Sequence, residues 1–369
     1  MLRLLRAFAF FGLICTPVIA QMASIQEPAV PADPLELVTG DAQPVQDVNQ
    51  RASTIGLLIN AYQHGNVREK GYPYDLKTKF TAFGSTSSDG VWQMENTSPG
   101  PNLYRWTAQG PSYSVVNLYK SRVLYSNQPA DSLPLRLTQV REAIFFSQPM
   151  LGPYASLRTA AATLNGADLV CVLVSHSLRN KNTGGGRHWD DQEYCVDPKL
   201  NNLVTYSPIP GLYVLYDYSK GLQFHDRAIA NKFTITQGGH TIIEAETESV
   251  GDAKENPAAL DVSGLNAVGM GPIESPPWRL RSFVPTTGVS NDGGGQIVVL
   301  HGMQSSNGRL SDLEVIESTN ASLNSAALEY AARWQSGPMG HDVEPGATPQ
   351  SHEVFLTLQY VAPRGSQLP

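Results

Sequence analysis

Leu76 to Phe83, Val91 to Asn96, Leu103 to Ala108, Tyr113 to Tyr119 and Arg122 to Tyr125 follow one another with only Ser, Gly and Pro turns between them. Each run is short and either alternating or aromatic-rich, the pattern of a half-buried strand. Such spacing is that of an antiparallel meander, because links this short leave no room for a crossover. One helix precedes the meander. Ala52 to Tyr62 puts Ile55, Leu58, Ile59 and Tyr62 on one face, and Gly65 and Gly71-Tyr72-Pro73 end it. After the meander, Leu133 to Phe146 predicts a helix with Leu137, Val140 and Ile144 on a face, and Tyr154 to Asn165 predicts a second. Strands resume at Leu169 to His176, and continue near Gln192 to Val196, Leu203 to Ser207, Leu212 to Asp217, Gln223 to Gln237 and Thr241 to Ser249.

The chain's last part changes rhythm. Gln296 to Met303 is β-rich, Ser305-Ser306-Asn307-Gly308 is a turn cluster, and Leu310 to Ile316 pairs back as a hairpin. Leu323, Ala326, Ala327, Tyr330, Ala331 and Trp334 then fall on one helical stripe, with Asn320 or Ser322 as cap. Gly337-Pro338 stops that helix. A Gly/Pro/His-rich loop runs to Gln350, and Glu353 to Val361 alternates Val354, Leu356, Leu358 and Tyr360 against Phe355, Thr357 and Gln359.

This last segment resembles the C-terminal domain of the TonB energy-transducer family. The residues that carry the likeness are Gly308, Val315, Leu323, Ala326-Ala327-Leu328, Trp334, Pro338, Gly346 and Phe355-Leu356-Thr357-Leu358. The resemblance implies a small ββαβ domain without enzymatic chemistry. It also implies that an extended peptide of an envelope partner pairs with an edge strand, here Val354, Phe355, Leu356, Thr357, Leu358, Gln359 and Tyr360.

The order of one helix, a meander, crossing helices and further strands resembles the LolA/LolB-like fold, an incomplete antiparallel barrel with a helical lid. Locally it rests on Tyr194-Cys195-Val196-Asp197 leading to Leu203-Val204-Thr205-Tyr206, on Leu212 to Lys220, and on Phe233 to Gly239 followed by Thr241 to Ala245. The likeness implies a cavity that accepts a lipid or acyl chain without covalent chemistry. Phe80, Trp92, Trp106, Tyr213 and Tyr216, all on predicted strands, are the candidates to line it, although aromatic residues on strands are mostly plain core. The expected class is α+β.

At the other end, Arg3 and Arg6 precede an apolar run from Ala7 to Ile14, Pro17 breaks it, and Val18-Ile19-Ala20 fits a small-residue cleavage site before Gln21. The run falls short of the roughly 20 residues a span needs, so residues 1–20 read as a cleaved leader and the mature protein as periplasmic, with no stable transmembrane span. A retained anchor is the alternative. No acidic, basic or His residue lies between Ala7 and Ala20, which argues against coupling to a membrane motor. Residues 21–50 are rich in Pro and acid and read as a solvated tether. The expected units are 51–262 and 293–369, joined by a linker at 263–292 that contains Ser275-Pro276-Pro277. With a net charge of −7 and no run of consecutive Lys or Arg, nucleic acid is excluded as a partner.

Residues with chemical potential are few. Cys171 and Cys195 are the cysteines left after the leader, and an oxidising compartment favours a disulfide, which contributes on the order of 3 kcal/mol in the chain-entropy model. The alternative is an envelope hydrolase or metalloenzyme using His176, His188, Cys195 and His225, whose spacings match no ordinary zinc pattern. Gly184 to Asp191 reads as a mobile hairpin loop, since no Lys-Ser or Lys-Thr follows it to hold phosphate. No Gly-x-Ser-x-Gly elbow occurs. Glu244, Glu246 and Glu248 alternate along a strand, as a solvated face does. No cofactor is expected.

Overall fold

Alternation along the chain becomes pairing almost wherever it occurs. The structure, a computed structural model, describes residues 27–362 apart from 39, 85–87, 101, 130–131, 146–148, 150, 153–154, 177–184, 255–259, 271–276, 287–294 and 335–350. The stretch read as a leader, Gly184, Ser275-Pro276, Gly337-Pro338 and the segment up to Gln350 expected to form a loop therefore lie outside the described residues.

A two-residue strand β1 (Gln43–Pro44) leads to helix α1 (Val48–Gly65), then β2 (Tyr74–Ala82), β3 (Gly90–Gly100), β4 (Leu103–Gln109), β5 (Ser114–Lys120) and β6 (Val123–Ser126). Helix α2 (Leu135–Phe145) crosses to β7 (Ser156–Leu164), β8 (Ala167–Ser175), β9 (Gln192–Asp197), β10 (Asn202–Ile209) and β11 (Leu212–Asp217). A small pair, β12 (Gln223–Phe224) and β13 (Arg227–Ala228), precedes β14 (Lys232–Gln237), β15 (His240–Gly251) and β16 (Asn266–Met270). The remainder is β17 (Trp278–Pro285), β18 (Gln296–Gln304), β19 (Leu310–Ser318), α3 (Asn324–Ala332) and β20 (His352–Val361).

One 14-stranded sheet holds most of the chain, with β1, β7, β8, β9, β10, β11, β14, β15, β2, β3, β4, β5, β6 and β16 side by side in that order. Among the described residues its end strands β1 and β16 do not pair with each other, so the sheet stays open. Helix α1 starts at Asp47, whose carboxylate accepts from the backbone N–H of Asn49 and Gln50, and buries Thr54, Leu58 and Ala61. Its opposite face is exposed. Helix α2 differs. Its periodicity marks a single apolar face, yet Arg136, Gln139, Arg141 and Glu142 are buried as well: Arg136 pairs with Glu314 of the C-terminal sheet, whereas Arg141 lies against Asn96 and Trp106 of the large sheet.

That second sheet runs β17, β20, β18, β19. Its inner strands β18 and β20 are buried on both faces, hence their near-continuous apolar reading. Val298, Leu300, Val354, Leu356 and Leu358 pack with Ala327 and Ala331 of α3. On the other face, Ile297, Val299, Ile316 and Phe355 belong to the same core as Phe80, Trp92, Leu137 and Val140 of the large sheet and α2.

Several expectations need correction. Tyr154 to Asn165 is not a helix: its described part is β7, paired with β8 along its whole length. Asn165 and Gly166 both take positive φ, the Asn-Gly hairpin turn, and tertiary pairing overrides the helix propensity of the alanines. Gln223 to Gln237 is three short strands, with His225 at positive φ in the first turn. Residues 263–292 are not a bare linker, since they contain β16, paired with β6, and β17, paired in parallel with β20. Nor are residues 21–50 wholly a tether: Val38, Ala42 and Val45 are buried and β1 pairs with β7. The strand Glu353 to Val361 lies inside its sheet, with β17 on one side and β18 on the other. Val354 to Tyr360 therefore offer no open edge to a peptide. The shared core also joins the two units that were expected to fold apart.

Candidate functional site

Helix α1 rests across the large sheet with an apolar cleft beneath it. Ala61, Val67, Leu76, Leu203 and Phe233 line the cleft, and the enclosed space is about 40 Å³. That is room for no more than a few water molecules. The polar groups at its wall are already satisfied. The Tyr216 hydroxyl donates to the Ala143 carbonyl at 2.7 Å, the Tyr218 hydroxyl to that of Leu203 at 2.9 Å, and the Tyr62 hydroxyl to that of Phe145 at 3.3 Å. Burial, with Glu69 nearby, pushes the Tyr62 phenol up to about 12, and burial raises Tyr218 too, so both stay neutral.

Of the aromatic residues expected to line a cavity, Tyr216 lines this cleft and Phe80, Trp92, Trp106 and Tyr213 do not. Phe80 and Trp92 stack at 5.6 Å in the solid core, where the Trp92 indole N–H donates to the Ser88 carbonyl. Trp106 lies 3.9 Å beneath the Arg141 guanidinium, whose pKa burial lowers to about 9. Tyr213 belongs to a polar cluster elsewhere.

That cluster surrounds the cysteines. Cys171 and Cys195 face each other on β8 and β9 and form a disulfide, Cα to Cα 4.0 Å. Among the described residues, Cys171, Glu193 and Cys195 are the one group of potential ligands with its atoms in metal-binding reach, and the disulfide removes both thiolates. His176, His188 and His225 do not join them. His176 is exposed, with its pKa lowered by partial desolvation, while His225 sits 2.7 Å from Asp252 at the exposed β12–β13 turn. The described part of the Gly-rich stretch is pinned rather than mobile. Arg158 donates to the Gly185 and Gly186 carbonyls at 2.9 and 2.8 Å and pairs with buried Asp191. Arg187, fully buried, reaches Glu193 at 3.3 Å, the Tyr213 hydroxyl at 2.8 Å and Ser207 Oγ at 2.7 Å. Burial opposes its charge, but Tyr213, Glu193 and Asp191 outweigh that and hold its pKa above the ordinary value. Burial raises Glu193 to about 7, against the pull of Arg187.

A third cluster lies where the C-terminal sheet meets α2. The carboxyls of Glu142 and Glu353 are within hydrogen-bonding reach of each other. The Tyr206 hydroxyl donates to Glu142 Oε1 at 3.0 Å, and His301 Nε2 lies 2.7 Å from Glu353 Oε1. All four side chains are buried, and none of them lines the cleft under α1. The pattern of the sequence hides this cluster, although its mark is there: His301 is a lone titratable group in an otherwise apolar strand.

Among the described residues, no helix is long and apolar enough to cross a membrane. No family model matches the chain, and no curated relative matches it. Among solved structures it is similar to a LolA superfamily protein from Nitrosomonas europaea, at 9% identity over 56% of this chain and 96% of that one, with a TM-score of 0.35. It is also similar to a DUF1329 family protein from Desulfovibrio piger, at 9% identity over 58% and 98% of the two chains, with a TM-score of 0.37. At that level of superposition the likeness by itself carries no inference about activity.

Proposed function

We propose that this chain is a non-enzymatic binding protein of the bacterial envelope that takes an acyl or other chain-like hydrophobic ligand between α1 and the large sheet. The apolar cleft under α1 carries the reading. It is too small for such a ligand as it stands, so α1 swings outward to admit one. Two features favour that motion, since weakly packed elements open at low cost: α1 fully buries Thr54, Leu58 and Ala61 alone, and its outer face is wet. The leader pattern assigns the protein to the periplasm. An envelope partner would add an extended segment to the four-stranded sheet at the outer edge of β17, where no described strand pairs and Phe283 is exposed. Nothing in the geometry favours the hydrolase or metalloenzyme alternative once Cys195 is oxidised.

Native mass spectrometry and displacement of a fluorescent fatty acid test the proposal. An acyl ligand should co-purify or the probe should bind, and Ala61→Phe, which fills the cleft, should weaken probe binding by at least about tenfold. The same spectrum should place the mature N-terminus at Gln21. A folded protein that neither carries lipid nor binds the probe would sink the ligand role.

A further inference from the structure

Glu142 and Glu353 come from parts of the chain more than two hundred residues apart, one on α2 and one on β20. Each projects from an element of one sheet system into the dry seam with the other. Two carboxylates cannot hydrogen-bond to each other unless at least one carries a proton, and two bare charges in contact in so dry a place repel strongly. We propose that this pair is a proton-held latch: protonated, it fastens the C-terminal sheet to α2 and the large sheet, and on losing its proton it lets the seam open.

The surroundings bear on the sign. On α2, Arg136 faces Glu353 and His301 while pairing with Glu314 of β19 at 2.7 Å. From β10 the Tyr206 hydroxyl donates to Glu142, and Tyr194 of β9 stacks on Tyr206 at 5.0 Å. From β17, Arg279 acts on Glu142, on both tyrosines and on His176. From β18 comes His301, stacked on Phe355 at 4.8 Å. The cations Arg136 and Arg279 favour ionised carboxylates, but burial outweighs them. It holds Glu142 well above the usual carboxylate range and Glu353 at about 7, against an ordinary value of 4.5. His301 is pushed down to about 3 by burial, so it meets Glu353 as a neutral imidazole.

Because both carboxyl pKa values are raised, the stability they confer is complete below 4.5 and is lost as pH rises through 7 and above. His301 works in the opposite sense, but only below its ordinary value of 6.5. From there upward the carboxyls set the slope. Each proton released makes opening up to about tenfold easier per pH unit.

Hydrogen exchange of the full chain at about pH 6 and about pH 9, corrected for intrinsic rates, reads the latch directly. Protection of β18, β20 and α2 should fall at the higher pH, in step with loss of an infrared band from buried protonated carboxyl. The double variant Glu142→Gln/Glu353→Gln, which keeps neutral hydrogen-bonding groups, should lose both the band and the pH dependence. Glu193 titrates in the same sense, but its effect would appear in β8 and β9. Unchanged protection along the seam, or a change confined to β8 and β9, overturns the latch, and both are read on the wild-type chain even if the variant does not fold. So does a folded double variant with the wild-type profile.

Discussion

Gly110 shows how much of this fold is decided by single atoms. A Cβ built there would lie 2.4 Å from Cε2 of Trp92, and Trp92 cannot retreat, being fully buried and stacked on Phe80. Gly110→Ala should therefore cost about 1–3 kcal/mol through overpacking. Urea unfolding with an unchanged slope and a lower midpoint is the expected result, and a midpoint within error of wild type would show that the ring has room after all. The requirement is invisible in the sequence. Gly110 stands in a turn, where glycine has many ordinary reasons to occur, and the ring that excludes a methyl comes from another strand. The same holds for Arg187. It reads as part of a loose glycine loop, and only the fold shows Glu193, Tyr213 and Ser207 closing around it. Removing one side of such a pair leaves a buried charge alone, so Arg187→Ala should destabilise by about 3–5 kcal/mol. A thermal melt that barely moves would mean that Glu193 simply takes up a proton.

Among the elements, the meander strands and the helices α1, α2 and α3 were legible because period and turn chemistry agree there. Failures fall where the two conflict. Ser156 to Leu164 is alanine-rich and lacks strand alternation, yet Asn165-Gly166 already marks the hairpin that makes it β7. Placing β20 inside its sheet depended on β17, a strand lying within a stretch broken by Pro and Gly, and register between distant segments leaves no local trace. The disulfide was legible from cysteine count and compartment. It ties β8 to β9 directly opposite each other in register, and Cys171→Ala/Cys195→Ala should lower stability by on the order of 3 kcal/mol. Calorimetry under non-reducing conditions checks this. Equal melting temperatures for the two proteins would show that the cross-link adds nothing to the strand pairing already there.

At the scale of the whole molecule, composition and strand spacing foretold two sheet systems but not that they share a core. Ile297, Val299, Ile316 and Phe355 present apolar surface to the large sheet and α2, and on α2 Arg136 pairs with Glu314 of the C-terminal sheet. Separated, each part would expose this apolar face, and Arg136, Glu142, His301 and Glu353 would lose the surroundings that satisfy them. We therefore expect residues 27–362 to melt in one cooperative transition, whose calorimetric and van't Hoff enthalpies agree. A fragment spanning 278–362 should show neither dispersed amide resonances nor a cooperative melt. Limited proteolysis of the native chain should cut first outside β16 and β17, since both strands are paired. Two resolved transitions, or a fragment that folds alone, would return the C-terminal sheet to the status of a separate domain and make the seam a docking contact rather than a core.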